Sequence, residues 1–460
     1  MRNPMFIYDE HLADMIFDYC RWRLELDPVP LDYGGARESL DTLLEGAITR
    51  DGHDPRHVLD LFDTLAESVV SCDSPRFLSF IPAAPTKAAL LFDMVVSCSS
   101  LQGTSWLEAA GAVAAENQAL AVLAELAGLP RSSGGCFVSG GSTGNLSALV
   151  VARDSARHRV GRSERRPRIA VSEEAHSSVS MALNIIGVDP LVVPTTDHRL
   201  TGEALRGALG AQRCEQDEVI GVVATAGTTN AGIIDDLAGV AEVAAEKRLW
   251  FHVDAAYGGA GLLAPSVRQR YAGIERADSL IVDPHKWLFA PFDCAALIYR
   301  DPRLAKAVHT QDAAYLEILQ HNVGETSDTD DDAPWNPSDY AIHLTRRARG
   351  LPLWFSLAVH GIDAYRDAVE AVLDTARRSA DLIREVPYLS LARDPELSVV
   401  LFQRNGWQRA DYERWSTKLL TDQIGFVTPS TWEGEPVARL AFLHPDTTMT
   451  MVQEILDTMA

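Results

Sequence analysis

The chain has 460 residues, 47% hydrophobic and 23% charged, a globular make-up and too long for one ordinary core. A formal net charge of −23 repels phosphate backbones, so neither nucleic acid nor an anionic membrane is expected as a partner. Cys20, Cys72, Cys98, Cys136, Cys214 and Cys294 lie far apart with no C-x-x-C pair, which excludes a disulfide framework and a cysteine zinc site, and no metal is expected.

The opening "MRNPMFIYDEHLADMIFDYC" carries acids early and no clean apolar core, so it does not read as a signal peptide. No apolar run reaches membrane-spanning length, and the expected location is the cytoplasm. "DEHLADMIFDYCRWRLEL" and "DPRHVLDLFDTLAESVV" space their apolar residues as helices do. Two or three such helices make a poor core alone. Residues 1–76 are therefore expected to pack on another body, either the rest of the chain or a second copy.

Residues 77–345 have another texture. The Ala/Leu helix "GAVAAENQALAVLAELAGL" is followed by alternating elements. Strands are predicted at "GCFVSG", "RIAVS", "PLVVP", "VIGVVAT", "LWFHVD", "SLIVD" and "AALIYR". Helices are predicted at "STGNLSALVVARDSARH", "AHSSVSMALNIIG", "TGEALRGAL", "DDLAGVAEVAAEK" and "SVRQRYAG". Short apolar runs with helical crossovers imply an α/β fold, a mainly parallel sheet with helices on both faces. Ligands in such folds sit beyond the carboxyl ends of the strands. The last strand pair is open to an antiparallel arrangement at an edge.

The polar, acidic stretch "HNVGETSDTDDDAPWNPSDY" within 309–343 breaks the rhythm and reads as a lid or a disordered segment. Residues 346–460 begin with a long helix, with a break expected at Gly361, and end in a small α+β domain. Its strands are predicted near "LSVVLFQ", "GFVTPS" and "VARLAFL", its helices at "RADYERWSTKLLTDQ" and "TMTMVQEILDTM".

Four strand ends carry unusual residues. "FVSGGSTGNLSAL" runs a strand into a Gly/Ser/Thr turn and a helix. Its free N–H groups, with Ser142 and Thr143, make an anion site, although the same turn serves as ordinary helix punctuation. His176 begins the helix in "VSEEAHSSVSMAL", where a plain polar residue is the bland alternative. "VVATAGTTNAGIIDDL" places Thr228 and Thr229 at a strand end and Asp235 at the next helix, as a functional group or as an N-cap. In "LWFHVDAAYGG", Asp254 closes an apolar strand beside Ala255 and Ala256. A buried carboxylate needs a partner, and the small neighbours leave room for something flat.

The fifth feature is Lys286 in "SLIVDPHKWLFAPFDCAALIYR", between two apolar runs. The chain otherwise takes its positive charge mainly from arginine, which marks this lysine as an amine placed for chemistry, with snorkelling from a strand end as the alternative. Buried lysine discharges readily, and a neutral amine forms Schiff bases. The spacing of Asp254 and Lys286 fits one helix and one strand, which puts both on neighbouring strand ends. An anion cradle, an aromatic at a helix start, a buried acid and an amine together suit pyridoxal 5'-phosphate.

"HVDAAYGG", "DPHKW" and "FDCAAL", in this order, resemble the group II pyridoxal-phosphate-dependent amino acid decarboxylases. That family includes aromatic amino acid, histidine and glutamate decarboxylases, and the likeness spans residues 75–400. It implies a type I aminotransferase-like homodimer, with both subunits lining each site and the N-terminal helices wrapping the partner. It implies that Lys286 holds the cofactor, Asp254 pairs with the pyridine nitrogen, and His176 and Ala256 flank the ring. Ser142, Thr143 and His285 would contact the phosphate, while Thr229 and Asp235 support the polar edge. Tyr315 in "QDAAYLEILQH" stands where the family places a loop tyrosine that returns a proton; apart from the resemblance it reads as a packing aromatic.

Two departures leave the substrate side chain open. The loop after Tyr315 is long and acidic, and Ala83 in "FLSFIPAAPTK" stands where a threonine often follows the proline. The expected activity is α-decarboxylation of an L-amino acid or amino-acid conjugate. The alternatives are the same chemistry diverted to an aldehyde or to β-elimination, and a non-catalytic cofactor-binding regulator or scaffold.

Overall fold

The computed structural model describes residues 3–82, 84–160, 166–211, 218–320 and 334–460. Ala83, Cys214 and most of the acidic stretch lie outside these residues. The main sheet has seven strands: β1 (Gly134–Val138), β2 (Arg168–Ser172), β3 (Asp189–Val193), β4 (Val219–Thr225), β5 (Trp250–Asp254), β6 (Ser279–Val282) and β7 (Ala295–Tyr299). Their order is β1-β7-β6-β5-β4-β2-β3. Neighbouring strands from β3 to β6 pair in parallel. The crossover helices Gly141–Val160, Ser177–Ile186, Gly202–Ala211 and Leu237–Lys247 cover the sheet. Every residue of β4 is buried, which is why these strands read as continuous apolar runs instead of alternating ones.

Strand β7 is antiparallel, as the sequence left open, but it is not at an edge. Its second side pairs with β1, from Gly134 opposite Tyr299 to Val138 opposite Ala295. The helix expected at "SVRQRYAG" shrinks to the 3-10 turn Arg268–Tyr271. The segment is bounded by Pro265 and by Gly273, whose φ is 101°.

The long helix Leu351–Glu385 is interrupted at Gly361, whose φ of 78° lies outside the helical region. A second, antiparallel sheet has the order β10-β11-β9-β8, from β8 (Leu389–Leu391), β9 (Val399–Arg404), β10 (Pro429–Trp432) and β11 (Glu435–Ala441). In the N-terminal helices Glu10–Glu25, Arg37–Leu43 and Pro55–Ala66, Met15 is the only buried one among the described residues. Phe17, Trp22 and Phe62 are exposed. Among the described residues no helix is long and apolar enough to cross a membrane.

The parallel arrangement brings Thr225 at the end of β4, Asp254 at the end of β5 and the chain leaving β6 to one side of the sheet. The N-terminus of helix Gly141–Val160 opens onto the same place.

Candidate active site

A cavity of about 280 Å³ lies at these strand ends. Ser142, His176, Thr229, Asp254, Ala256, His285 and Lys286 all line it, so seven of the sequence-predicted residues meet there. Two glycines are required by the crowding. A Cβ on Gly141 would come 2.9 Å from Asp283 Oδ2 and 3.1 Å from the Ala256 Cβ. Gly227 has φ 110° and packs against the Gly258 backbone, so a side chain there meets both strain and backbone.

Lys286 sits on the short helix Pro284–Trp287 that follows β6. Its Nζ is 3.0 Å from Asp283 Oδ2, and its side chain is 25% exposed. A buried carboxylate thus holds the amine. His285 Nε2 lies 3.5 Å from the same oxygen, while its Nδ1 accepts the Cys294 N–H. Burial alone would raise the Asp283 carboxyl, but Lys286 and His285 outweigh it and hold it below the usual range.

Asp254 is 6% exposed. Its Oδ2 accepts from Asn145 Nδ2 at 2.9 Å and its Oδ1 from the Ala256 N–H at 3.1 Å. Among the described residues no cation forms an ion pair with it. His176 caps helix Ser177–Ile186, its Nδ1 accepting the Ser178 N–H at 3.2 Å.

Three expected residues stand elsewhere. Thr143 does not line the cavity; its hydroxyl pairs with Ser139 Oγ at 3.0 Å. Asp235 is neither the N-cap, which is Asp236, nor a wall of the cavity. Its carboxyl accepts the N–H groups of Leu200 and Thr225, both at 2.7 Å, and so clips the end of β4 to a neighbouring loop. Tyr315 is 73% exposed on the 3-10 segment Ala314–Gln320, away from the cavity walls of its own chain.

The Asp235 clip has a pH signature. Burial raises its carboxyl from 3.8 to about 7, against the pull of the two N–H groups and Arg199. The folded state thus binds this proton more tightly than the unfolded state. Its stabilising contribution is complete below pH 3.8 and is lost as pH rises towards 7. Urea unfolding should show the stability of wild type relative to Asp235→Asn falling across that window, by at most about 1.4 kcal/mol per pH unit. A difference that does not change with pH would defeat the assignment.

Several residues of the site escaped the sequence reading. Asn145 and Asp283 line the cavity, and His252 is fully buried behind it. Burial pushes the His252 imidazole down to about 4, against the attraction of Asp254. The signal for His252 was the two-residue period of a strand, which puts it on the Asp254 face of β5. Asn145 follows Gly141 by one helical turn and faces the sheet, a poor place for a weak helix former unless it has partners. Arg439 is 6% exposed and donates to the carbonyls of Thr229 (2.6 Å), Asn230 and Phe80, fixing the Thr229 backbone at the cavity wall.

Residues 40–405 match the family described as the pyridoxal-dependent decarboxylase conserved domain. The chain is 28% identical over 457 residues to the aromatic-L-amino-acid decarboxylase of Bacillus atrophaeus, covering 96% of this chain and 92% of that protein. It is 32% identical over 400 residues to the L-2,4-diaminobutyrate decarboxylase of Rhizobium meliloti (strain 1021), covering 83% and 77%. A solved structure of Oryza sativa TDC with PLP and tryptamine shares the fold, with a TM-score of 0.89 and 23% identity over 100% of this chain and 99% of that one.

Proposed function

The chain belongs to the pyridoxal-dependent decarboxylase family, and we propose that Lys286, Asp254 and His176 are the residues through which it works. It is a pyridoxal-phosphate-dependent amino acid decarboxylase. Asp254 carries the assignment of the site. A buried carboxylate that accepts only from neutral N–H groups needs a cation, and the ligand is left to bring it. A protonated pyridine nitrogen is such a cation. Thr225 Oγ1 and Asp283 Oδ1, buried without hydrogen-bond partners among the described residues, belong to residues of the same wall, so the walls fit a polar ligand.

Pyridoxal phosphate, when bound, draws electrons from the substrate α-carbon and so lets carbon dioxide leave. Ser142, the N-terminus of helix Gly141–Val160 and His285 would hold its phosphate. Lys286 would tether its aldehyde, Asp254 would keep the ring nitrogen protonated, and His176 and Ala256 would flank the ring. Thr229, its backbone fixed by Arg439, would support the polar edge. The presence of His176 and Tyr315 favours return of a proton and release of an amine over the aldehyde and elimination outcomes.

Tyr315, exposed on its own chain, would act across a homodimer. The N-terminal helices, with apolar residues open to solvent, support residues 1–76 wrapping a second copy ahead of a cofactor-binding body at 77–345 and a small domain at 346–460. Free cysteines among the described residues support a cytoplasmic setting.

Product analysis on a panel of aromatic and diamino acids tests the activity. Amine and carbon dioxide should form in equal amounts; aldehyde, ammonia or peroxide would redirect it. Mixing inactive Lys286→Ala and Tyr315→Phe chains tests the sharing. Random pairing gives mixed dimers with one intact site, so activity should return to about a quarter of wild type. No recovery would place Tyr315 in its own subunit's site or outside the chemistry.

A further inference from the structure

We propose that Asn145 is a positioning residue for both Asp254 and His176, the joint of a buried hydrogen-bond relay that decides which nitrogen of each histidine carries its proton. The inference rests on the reading of Asp254 and His176 given above.

The relay can be followed atom by atom. A carboxylate only accepts, so Asn145 must turn its Nδ2 to Asp254 Oδ2, at 2.9 Å. The second proton of that amide goes to Ser178 Oγ, at 3.2 Å. Asn145 Oδ1 therefore faces His252 Nε2, at 2.8 Å, and an oxygen facing a ring nitrogen requires that nitrogen to donate. His252 carries its proton on Nε2. Its Nδ1 accepts from Ser279 Oγ at 2.8 Å, and that oxygen in turn accepts Trp250 Nε1–H at 2.8 Å.

The other arm leads to the cavity. Ser178 Oγ, already accepting from Asn145, passes its hydroxyl proton to His176 Nδ1 at 2.9 Å. The Ser178 N–H donates to the same nitrogen. With Nδ1 so occupied, the proton of neutral His176 resides on Nε2.

Burial makes the direction obligatory. Asn145 is 1% exposed, His252 0%, Ser279 1% and Ser178 4%, so water cannot replace a broken link. Asn145 is the one member bonded to three others, and its amide is the part that cannot reverse while Asp254 is a carboxylate.

Nitrogen-15 NMR of histidine-labelled, cofactor-free protein at mildly alkaline pH reads the tautomers directly. His252 and His176 should both appear as Nε2–H, and Ser279→Ala should leave His252 so, because Asn145 remains its partner. Asn145→Leu takes away the acceptor of the His252 Nε2–H, whose proton resonance should move upfield as that hydrogen bond is lost. In the loaded enzyme the same substitution should lower kcat about 10- to 100-fold with little change in KM, the loss usual when an outer hydrogen-bond partner is removed. Should Asn145→Leu not fold, His252→Gln keeps a donor to Asn145 and should restore most of the kcat that His252→Leu loses. A wild-type His252 protonated on Nδ1, an unchanged kcat in Asn145→Leu, or equal loss in the two His252 variants would overturn the inference. The cofactor reading fails separately, if Asp254→Asn keeps full activity.

Discussion

Lys286→Ala should lose the absorbance band of the lysine-bound cofactor and at least about a thousand-fold in turnover. The size follows from the tasks assigned to one amine: a covalent tether, and proton handling that alone contributes about 10²–10⁴-fold in enzymes. Removing the amine also leaves Asp283, 2% exposed, without its ion-pair partner, although His285 and the Gly141 N–H still approach it. That costs about 1–3 kcal/mol, readable by urea unfolding of the cofactor-free protein. Lys286→Arg separates the two roles. A guanidinium keeps a positive charge beside Asp283 but makes no tether, so stability should recover while activity and the band do not. A Lys286→Ala protein that keeps the band would end the assignment.

The sequence made the strand ends legible because each carried a residue out of keeping with its surroundings. Asp254 after an apolar strand and Lys286 after another are costly unless they meet something, and parallel topology brings such ends together. What stayed hidden depended on pairing across distance. That β7 lies inside the sheet follows from β1, far earlier in the chain, closing on its second side. Asp235 and Asp236 are adjacent carboxylates before a helix, and only the folded backbone decides that the second caps while the first clips β4. Asn145 and His252 each have an ordinary local reading. Their meaning appears when helix Gly141–Val160 lies across β5 and joins them. Tyr315 is a surface residue of this chain, and the task proposed for it comes from the family resemblance alone.

Asp254→Asn should give a folded protein that has lost about 10²–10⁴-fold in turnover, the other large effect expected here. The argument for an intact fold starts from the charge. In the cofactor-free chain Asp254 is a buried anion with two neutral donors and no ion pair among the described residues, and replacing such a charge removes a desolvation cost. Against this, the substituted side chain brings an NH₂ group to face Asn145 Nδ2, donor against donor. The clash is relieved if the Asn145 amide turns over, which then presents an N–H to His252 Nε2 and drives the His252 proton to Nδ1 and on to Ser279 Oγ. Ser279 can accept from both His252 and Trp250 but is left with a hydroxyl proton to place, at a cost of about 1–3 kcal/mol. The gain and the cost are of similar size, so stability should stay within about 1 kcal/mol of wild type while the His252 tautomer reverses. A loss of several kcal/mol would mean that the Asp254 charge is already compensated in the cofactor-free chain. The reason for expecting a cationic ring nitrogen in the cavity would then be gone, whatever the activity.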